Sequence, residues 1–565
     1  MNLWDRALRN EKNRRIKLKH VRRYFLLLAI ICVTGVMLTR PQVRHLAGQA
    51  SESLQSYYVS ARADAVNEKG FTLSYNGTLL DIENMRMSSG MNLLIPLSDV
   101  VRYFGASVTV GEKGECFVQG QYLENAAFVD ERMPERIMID MTAAAPALGL
   151  EYRWDDGARA ASLDVQQNQE LPGYFDLRET RALNRVENQG TFGTCWAFAS
   201  TAALETVLSG DETLDFSVDH MTMNSGFNIG PAEGGDYNMA LAYLASWRGP
   251  VLEENDPYGD GMTDGSLTAV KHLQEARFLD ERNLEQIKAM ILRYGGVESS
   301  LYMSIENAWD SSEDYAPGTA SYYYAGGEKP NHDVVIIGWD DDYSRENFSH
   351  APENNGAFLC RNSWGEEFGD GGYFYVSYED SNLGNNSVIY TRLDETDNYD
   401  GIYQSDLLGW VGTLGYKEPS AWFSNVYTAE ADEILKAVSF YAVDDHTTWE
   451  LYAVPDYSGM ESLAQPVYLG SGYFENGGYY TVDIPEMLSL SAGSRFAVMV
   501  RITTENSERP IAIEYPASDL TAGADLSDGE GYISYDGNQW VSAETEYGCN
   551  LCLKAFTVNK ESLYE

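Results

Sequence analysis

The spacing of apolar and polar positions predicts different elements along the chain. Residues 70–166 contain a pattern that occurs twice, at 97–105 and again at 141–149. In each copy a hydroxyl residue, Ser98 or Thr142, is placed to cap a short helix, a Gly is placed to end it, and an alternating strand follows. Two strand–helix–strand units of this kind predict a small α+β repeat module.

The C-terminal part, residues 396–565, has a different pattern. Short apolar runs such as Ala437–Val443, Glu450–Val454 and Phe496–Ile502 are separated by Gly, Asp and Asn turns, without a helical period. Regularly spaced short strands of this kind predict a β-sandwich.

Between these two regions, residues 167–395 mix both periods. A glycine-bearing loop leads into Cys195, and the small and apolar residues that follow keep helical spacing, so the sulfur is predicted at a helix N-terminus. His332 stands at the edge of a strongly apolar strand, and Asn362 follows a second one, Phe358–Arg361. The segment is therefore predicted to be an α+β domain.

The N-terminus, residues 1–46, has the pattern of an exported protein. Basic residues between Arg14 and Arg23 precede an uncharged, mostly apolar run, Tyr24–Leu38. Positive charge before the first apolar segment holds that end in the cytoplasm and sends the rest outward. We expect a cytoplasmic basic tail with a membrane anchor; a cleaved signal peptide and a buried helix are the alternatives, because the run is short for a spanning helix. Residues 47–69 are polar and unpatterned, which is typical of a stalk.

Charge and length narrow the class of protein. The chain has 565 residues, too many for one core, and 85 Asp and Glu against 40 Lys and Arg. Since 11 of those basic residues lie in the first 45, the remainder is strongly acidic. Such a surface repels nucleic acid, which we exclude as a partner.

The six cysteines do not predict a disulfide scaffold or a metal site. Cys549 and Cys552 form a single C-x-x-C in an apolar stretch, and a structural zinc would lack its other ligands. We expect these two thiols to be buried or locally paired. No cofactor or metal is predicted, and the consecutive Asp340, Asp341 and Asp342 leave calcium binding open.

Three residues in one order carry the candidate chemistry. Cys195 alone, His332 alone and Asn362 alone are each more often structural than functional. Together they supply a nucleophile, a base and an amide that orients the base. A helix N-terminus would also favour the Cys195 thiolate.

The motifs around these residues resemble the papain family of cysteine peptidases. They read QGTFGTCWAFAS around Cys195, NHDVVIIGW around His332 and NSWG from Asn362, with the histidine 137 and the asparagine 167 residues after the cysteine. The resemblance implies a two-lobed fold, one lobe helical and one barrel-like, in which Gln189 is the oxyanion-hole donor. It also implies that Trp364 shields the His–Asn hydrogen bond from water.

The same resemblance implies the substrate-binding residues. Gly234 and Gly235 match the glycine pair that lines the family's cleft. Tyr237 and Pro330 fall near its main specificity pocket, which implies an apolar or aromatic preference. The family's cysteine pair is absent, and so is a recognisable inhibitory propeptide, which leaves the means of restraint open.

Both flanking regions resemble known modules as well. Residues 70–166 resemble the repeat domain first described at the N-terminus of copper amine oxidases, without any metal-ligand cluster. Residues 396–565 resemble the lectin-like domain of bacterial surface cysteine peptidases. That likeness implies contact with glycan or cell wall; a structural spacer packed on the enzyme is the alternative.

The expected fold is thus a multidomain α+β protein with a papain-like peptidase at its centre. The expected function is cell-surface peptide-bond hydrolysis through a Cys195 thioester, on protein or peptide substrates. Two alternatives stay open: an adhesin whose enzyme domain has decayed, and a cell-wall peptide hydrolase or transpeptidase.

Overall fold

The computed structural model describes residues 71–560 except for short internal gaps, which are 76–77, 81, 83–84, 88–91, 105–107, 111–115, 119–120, 124–125, 131–132, 156–158, 166–170, 210–212, 280–281 and 528. The predicted membrane segment, Tyr24–Leu38, and the predicted stalk lie outside the described residues. Within the described ranges, no helix has the length and apolar character needed to cross a membrane.

The elements are numbered here in chain order. Those of the repeat region are β1 Thr72–Tyr75, β2 Thr78–Leu80, β3 Arg86–Met87, β4 Leu93–Pro96, α1 Leu97–Phe104, β5 Val108–Val110, β6 Cys116–Val118, β7 Gln121–Leu123, β8 Ala127–Asp130, β9 Met133–Asp140, α2 Met141–Ala144, β10 Leu150–Asp155 and β11 Ala160–Val165. Those of the central region are β12 Tyr174–Asp176, α3 Cys195–Leu208, α4 Val218–Asn224, α5 Tyr237–Ala245, β13 His272–Leu279, α6 Leu284–Arg293, β14 Val297–Leu301, β15 Tyr315–Ala316, β16 Ser321–Tyr322, β17 His332–Asp340, β18 Ala357–Arg361, β19 Tyr373–Ser377 and β20 Ser387–Asp394. Those of the C-terminal region are β21 Gly401–Tyr403, β22 Gly412–Leu414, β23 Ser420–Thr428, β24 Glu433–Ala442, β25 Thr447–Val454, β26 Val467–Phe474, β27 Gly478–Leu490, β28 Arg495–Thr504, β29 Ile511–Glu514, β30 Gly531–Ser534, β31 Val541–Ser542, α7 Ala543–Tyr547, β32 Asn550–Leu551 and β33 Leu553–Asn559.

The described residues divide into two compact units. The smaller takes its residues from the chain up to Asp81 and from Arg153–Asp164, and the larger contains Ile82–Tyr152 and everything from Val165 onward. In the smaller unit, β1 pairs antiparallel with β2 and parallel with β11. Leu73 and Leu163, on β1 and β11, are fully buried and form its core.

The two predicted repeat helices are present as α1 and α2. Gly149 adopts a left-handed conformation (φ +67°) and ends the second helical segment, as its pattern predicts. The predicted hydroxyl cap of α2 is wrong. The carboxylate of Asp140 accepts the N–H of Thr142 and caps the helix, whereas the Thr142 hydroxyl accepts the N–H of Leu93 on β4.

A helical lobe and a strand lobe form the central region. α3 is apolar or small on every side and is buried from Cys195 to Thr206, between α4, α5 and the sheet. The sheet runs in the order β15-β16-β19-β18-β17-β14-β20-β13, and β17 is buried along almost its whole length. Because buried strands need apolar residues on both faces, the continuous run in this strand needs no alternation.

The C-terminal strands form the predicted sandwich. One sheet has the order β26-β25-β28-β23-β30-β31, and the other contains β27-β24-β33-β21. A core that includes Phe423, Phe440 and Val500 fills the space between them. The expected fold class, an α+β region with a helical lobe and a strand lobe followed by a β-sandwich, is therefore confirmed.

The sandwich is joined to the strand lobe through the backbone. β13 pairs with β27 over Glu275, Ala276 and Arg277, so one sheet runs through both regions. Gly478 permits this pairing, because a Cβ there would lie 2.2 Å from the carbonyl oxygen of Ala276. Trp247 stacks on His272 and Phe556 beside it, with ring centroids 3.8 and 5.6 Å away. The sandwich thus packs against the strand lobe.

Candidate active site

The N-terminus of α3 places the sulfur of Cys195 at the edge of a cleft. The helix begins without a side-chain cap, because the Thr194 hydroxyl is hydrogen-bonded to the Tyr258 hydroxyl at 2.8 Å. The N–H of Trp196 therefore remains available and donates to the Cys195 sulfur. At Gly193 the loop before α3 passes close to the backbone of Gly234. A side chain would not fit there, because a Cβ at position 193 would lie 2.6 Å from the Gly234 nitrogen.

His332 is held by Asn362 in one tautomer. The imidazole Nε2 lies 2.7 Å from Oδ1 of Asn362, and the N–H of Ser363 donates to the same oxygen at 2.8 Å. Because that backbone N–H needs an acceptor, it fixes which end of the amide is oxygen. Nε2 must then carry the proton, which leaves Nδ1 as the basic nitrogen.

Trp364 covers this hydrogen bond. Its ring lies 4.8 Å from the imidazole, centroid to centroid, and is almost fully buried. Phe368 packs edge-on against the other side of the indole at 5.1 Å. This position fits the shielding that the family resemblance implies.

Gln189 is oriented by the loop after β18. The Ser363 hydroxyl donates to its Oε1 at 2.7 Å, its Nε2 donates to the carbonyl of Phe192 at 2.7 Å, and its backbone N–H donates to the Ser363 carbonyl at 2.8 Å. Ser363 therefore positions the side chain of Gln189. Sequence reasoning missed this residue, although it directly follows Asn362.

Six of the eight predicted site residues line one cavity of about 700 Å³; they are Gln189, Cys195, Gly234, Gly235, His332 and Trp364. Asn362 stands behind His332, where its role as an orienting group places it. Tyr237 does not line the cavity, because its ring packs against Phe278 at 5.7 Å and adds to the helical core. Its part in substrate binding stays a prediction, whereas Pro330 does line the cavity.

Comparison with known proteins agrees with this arrangement. Residues 171–392 match the model of the papain family cysteine protease, and residues 402–557 match the lectin like domain. The central region is a papain-family cysteine peptidase. The match to cysteine proteinase 15A of Pisum sativum is 29% identical over 267 residues and covers 43% of this chain and 68% of the plant protein.

Two solved structures extend the likeness beyond the peptidase. One is the clostridial cysteine protease Cwp84 after propeptide cleavage, 27% identical with a TM-score of 0.62, covering 68% of this chain and 99% of that one. The other contains the cysteine protease and lectin-like domains of Cwp84, a surface layer associated protein of Clostridium difficile. It is 26% identical with a TM-score of 0.62, covering 70% of this chain and 90% of that one. The chain is thus a papain-like cysteine peptidase with a C-terminal lectin-like domain.

The electrostatics of the peptidase site differ from the expectation of a thiolate. Burial and, after it, the charge of Asp333 raise the pKa of Cys195 to about 12, against the N–H donors that lower it. Burial also lowers the pKa of His332 to about 4, despite the Asn362 hydrogen bond that raises it. Burial thus favours the thiol and the neutral imidazole over the charged pair and outweighs the helix N-terminus.

Asp333 is the residue in the cleft that sequence reasoning missed. The Cys195 sulfur donates a hydrogen bond to Oδ2 of Asp333, with a sulfur–oxygen distance of 3.9 Å. In the described part of the chain, the side-chain partner of the sulfur is therefore Asp333 and not His332. A signal was present, because Asp333 is the one charged residue before four apolar ones in the run from 333 to 337. A carboxyl there cannot be explained by strand packing.

The two cysteines of the C-x-x-C motif are buried, and Asp341 of the acidic insertion forms an ion pair. Cys549 and Cys552 are both buried free thiols, which fits the prediction of buried thiols. Asp341 forms an ion pair with Lys288 and accepts the Tyr378 hydroxyl at 2.7 Å. The Asp341 carboxylate therefore joins the insertion to α6 through Lys288.

Proposed function

We propose that this protein is a cell-surface cysteine endopeptidase that cuts peptide bonds through a thioester on Cys195. His332 is its acid and base, Asn362 orients the imidazole, and Gln189 binds the oxyanion. One observation carries the proposal: the imidazole, fixed by Asn362 in the tautomer with a basic Nδ1, lines the same cavity as a cysteine at a helix N-terminus.

The proton follows a definite path in this mechanism. As the Cys195 sulfur attacks the scissile carbonyl, its proton passes to Nδ1 of His332, so the charged pair forms together with the oxyanion. The imidazolium then gives this proton to the leaving amine, and the C–N bond breaks. Water, deprotonated by Nδ1, hydrolyses the thioester and restores the thiol.

Backbone and amide groups are arranged to bind the carbonyl during these steps. The Nε2 of Gln189 carries a second hydrogen besides the one bonded to Phe192, and we assign it to the oxyanion together with the N–H of Cys195. Gly234 (φ +79°) and Gly235 supply an open backbone edge for the peptide. A Cβ on Gly235 would lie 2.7 Å from the indole nitrogen of Trp196, so this edge must be glycine.

The cell-surface location rests on two supports. The basic residues before the apolar run Tyr24–Leu38 match the charge rule for an exported chain with a cytoplasmic N-terminus. Cwp84, which shares both domains, is a surface layer associated protein. We propose that the same N-terminal segment tethers the peptidase to the membrane with its catalytic part outside.

An epoxide thiol trap tests the proposed function. We expect the wild-type protein to take up one equivalent at Cys195, located by mass spectrometry of its peptides, and to lose hydrolysis of a protein substrate in parallel. The Cys195→Ala variant, which keeps all other thiols, should take up none. A wild-type protein that is folded, unlabelled at Cys195 and inactive on peptides would favour the adhesin alternative.

A second proposal concerns the lectin-like domain. A concavity of about 500 Å³ lies on β25, β26 and β28, between the half-exposed ring of Tyr468, the ring of Tyr473, and the Glu450–Arg501 ion pair of 3.0 Å. Flat aromatic faces beside charged hydrogen-bonding groups suit the apolar faces and hydroxyls of sugars. We propose that glycan binds there while the opposite side of the domain packs on the peptidase.

Glycan binding is tested by titration with purified wall polysaccharide. Tyr468→Ala should weaken binding about tenfold, because truncating a central aromatic contact removes much of the contact energy. Tyr535→Ala, at an exposed tyrosine that does not line the concavity, is the matched control and should bind like the wild type. Equal binding by Tyr468→Ala and the wild type would leave the spacer role alone.

A further inference from the structure

The peptidase cleft is acidic around the nucleophile. The described residues that line the cavity include four carboxylates, Glu233, Asp236, Glu306 and Asp333, and no Lys or Arg. Glu306 is exposed at the surface, whereas Asp333 is over nine-tenths buried. The cleft therefore carries negative charge, and no basic side chain among the described lining residues balances it.

Asp333 has no ion-pair partner in the described part of the chain, unlike two other carboxylates of this protein. Asp406 is paired with Lys554 at 2.8 Å, and Asp483 with Arg392 at 3.2 Å. In the described part of the chain, the side-chain partners of Asp333 are neutral: the Ser300 hydroxyl donates to Oδ1 at 2.5 Å and the Cys195 thiol to Oδ2. A buried carboxylate without a cation is costly to keep charged, and a cationic ligand group removes that cost.

Polar groups lie next to Asp333 in the cavity. Ser300 stands directly opposite it across the β14–β17 pairing, and Asn386 precedes β20 at the same side of the cavity. Asp236 lies across the cleft, where it caps α5 through a hydrogen bond with the N–H of Asn238 at 2.9 Å. These groups offer hydrogen-bond acceptors to a polar side chain, in a cavity whose lining also includes the apolar residues Met303, Ile305 and Pro330.

We propose that Asp333, together with Asp236, forms a subsite for the basic side chain of a Lys or Arg in the substrate peptide. This inference rests on the proposed peptidase function and names its substrate class. It replaces the apolar or aromatic preference expected from the positions of Tyr237 and Pro330. The subsite lies beside the Cys195 sulfur, so the basic residue stands close to the scissile bond.

The arrangement favours arginine in particular. The two carboxylates reach the cavity from different elements, β17 and the start of α5, so a planar guanidinium with five donors can contact both. Lysine satisfies the same charge with fewer fixed donors. Aspartate or glutamate at this peptide position meets like charges and is excluded.

The test is a positional library of peptides cleaved by the full-length protein, by Asp333→Asn and by Asp236→Asn. The wild type should prefer Arg or Lys at one position near the scissile bond by about 10- to 100-fold in kcat/KM over a neutral residue of similar length. Asp333→Asn should lose most of this preference, measured within the variant as the ratio of kcat/KM on basic peptides to kcat/KM on neutral peptides. Asp236→Asn, which still caps α5, should lose part of it. Asp340→Asn, at the far end of β17, is the control and should keep the full preference.

Each alternative result has its own signature. A wild type that prefers apolar residues, or an Asp333→Asn variant that keeps the basic preference, overturns the subsite. Equal loss of kcat/KM on basic and neutral peptides in Asp333→Asn also overturns it, because the carboxyl then acts on the thiol or on the fold. If Asp333→Asn does not fold, the wild-type library and Asp236→Asn decide. Failure of the peptidase proposal looks different, since no peptide is cleaved and the epoxide does not label Cys195.

Discussion

Replacing Cys195 with alanine is expected to lower peptide hydrolysis by at least about 10⁴-fold, to the limit of detection. The reason is that Cys195 supplies the one thiol among the described residues that line the cleft, and the hydroxyls there, on Ser300 and Ser304, are much weaker nucleophiles. Alanine is smaller than cysteine and favours a helix, so α3 and the surrounding core should persist. Steady-state cleavage of a fluorogenic peptide measures the loss, and thermal unfolding measures the fold.

The control for this variant is Cys116→Ala, which removes a buried thiol of the repeat region and should leave hydrolysis unchanged. Retention of more than a few per cent of the activity by Cys195→Ala would end the assignment of the nucleophile. Product analysis of the wild type with added amines separates hydrolysis from peptide joining. Exclusive release from wall stem peptides would favour the cell-wall alternative instead.

Replacing Lys554 with methionine is expected to destabilise the lectin-like domain by about 3–5 kcal/mol. Lys554 and Asp406 are both almost fully buried, and the ammonium lies 2.8 Å from the carboxylate and 3.1 Å from the Asp406 carbonyl. Methionine keeps the volume of the lysine stem but leaves the carboxylate without a cation in an apolar setting. The midpoint of thermal unfolding should fall by about 10 °C.

Two further variants separate charge from packing. Lys436→Met, at a half-exposed lysine on β24, should change the midpoint by no more than about 2 °C, because an exposed lysine contributes little. Lys554→Met combined with Asp406→Leu should recover much of the loss, since neither charge is then buried alone. An unchanged midpoint in the single variant would show that water reaches Asp406.

Much of the fold follows from local patterns. The run Val334–Ile337 is apolar without alternation, and it lies in a central strand of a sheet covered on both faces. Small residues after Cys195 predict a helix packed on all sides, and α3 is such a helix. The strands predicted near 437, 450 and 496 occur as β24, β25 and β28. In each case, the helices and strands packed directly against the element bury its apolar residues.

Contacts between distant segments account for what local patterns did not predict. Asp140, and not Thr142, caps α2. The reason is that the Thr142 hydroxyl accepts the N–H of Leu93 on β4, which is 49 residues away in sequence. The ring of Tyr237 packs against Phe278 because β13 lies against α5. The pairing of β13 with β27 joins residues some 200 positions apart and had no local signal beyond a glycine at 478.

The amino-acid sequence by itself determined the candidate groups for the proposed chemistry: a cysteine at a helix start, a histidine at a strand edge, and an amide after a second strand. Residue type and local period are enough for this, because each group sits on an element that its own neighbours specify. The tertiary structure alone decided their ionisation and the character of the cleft. Burial sets the pKa of Cys195 and His332, and the meeting of β14, β17 and α5 gathers carboxyls around the sulfur. Desolvation and charge proximity depend on which distant segments come together, and no local pattern records that.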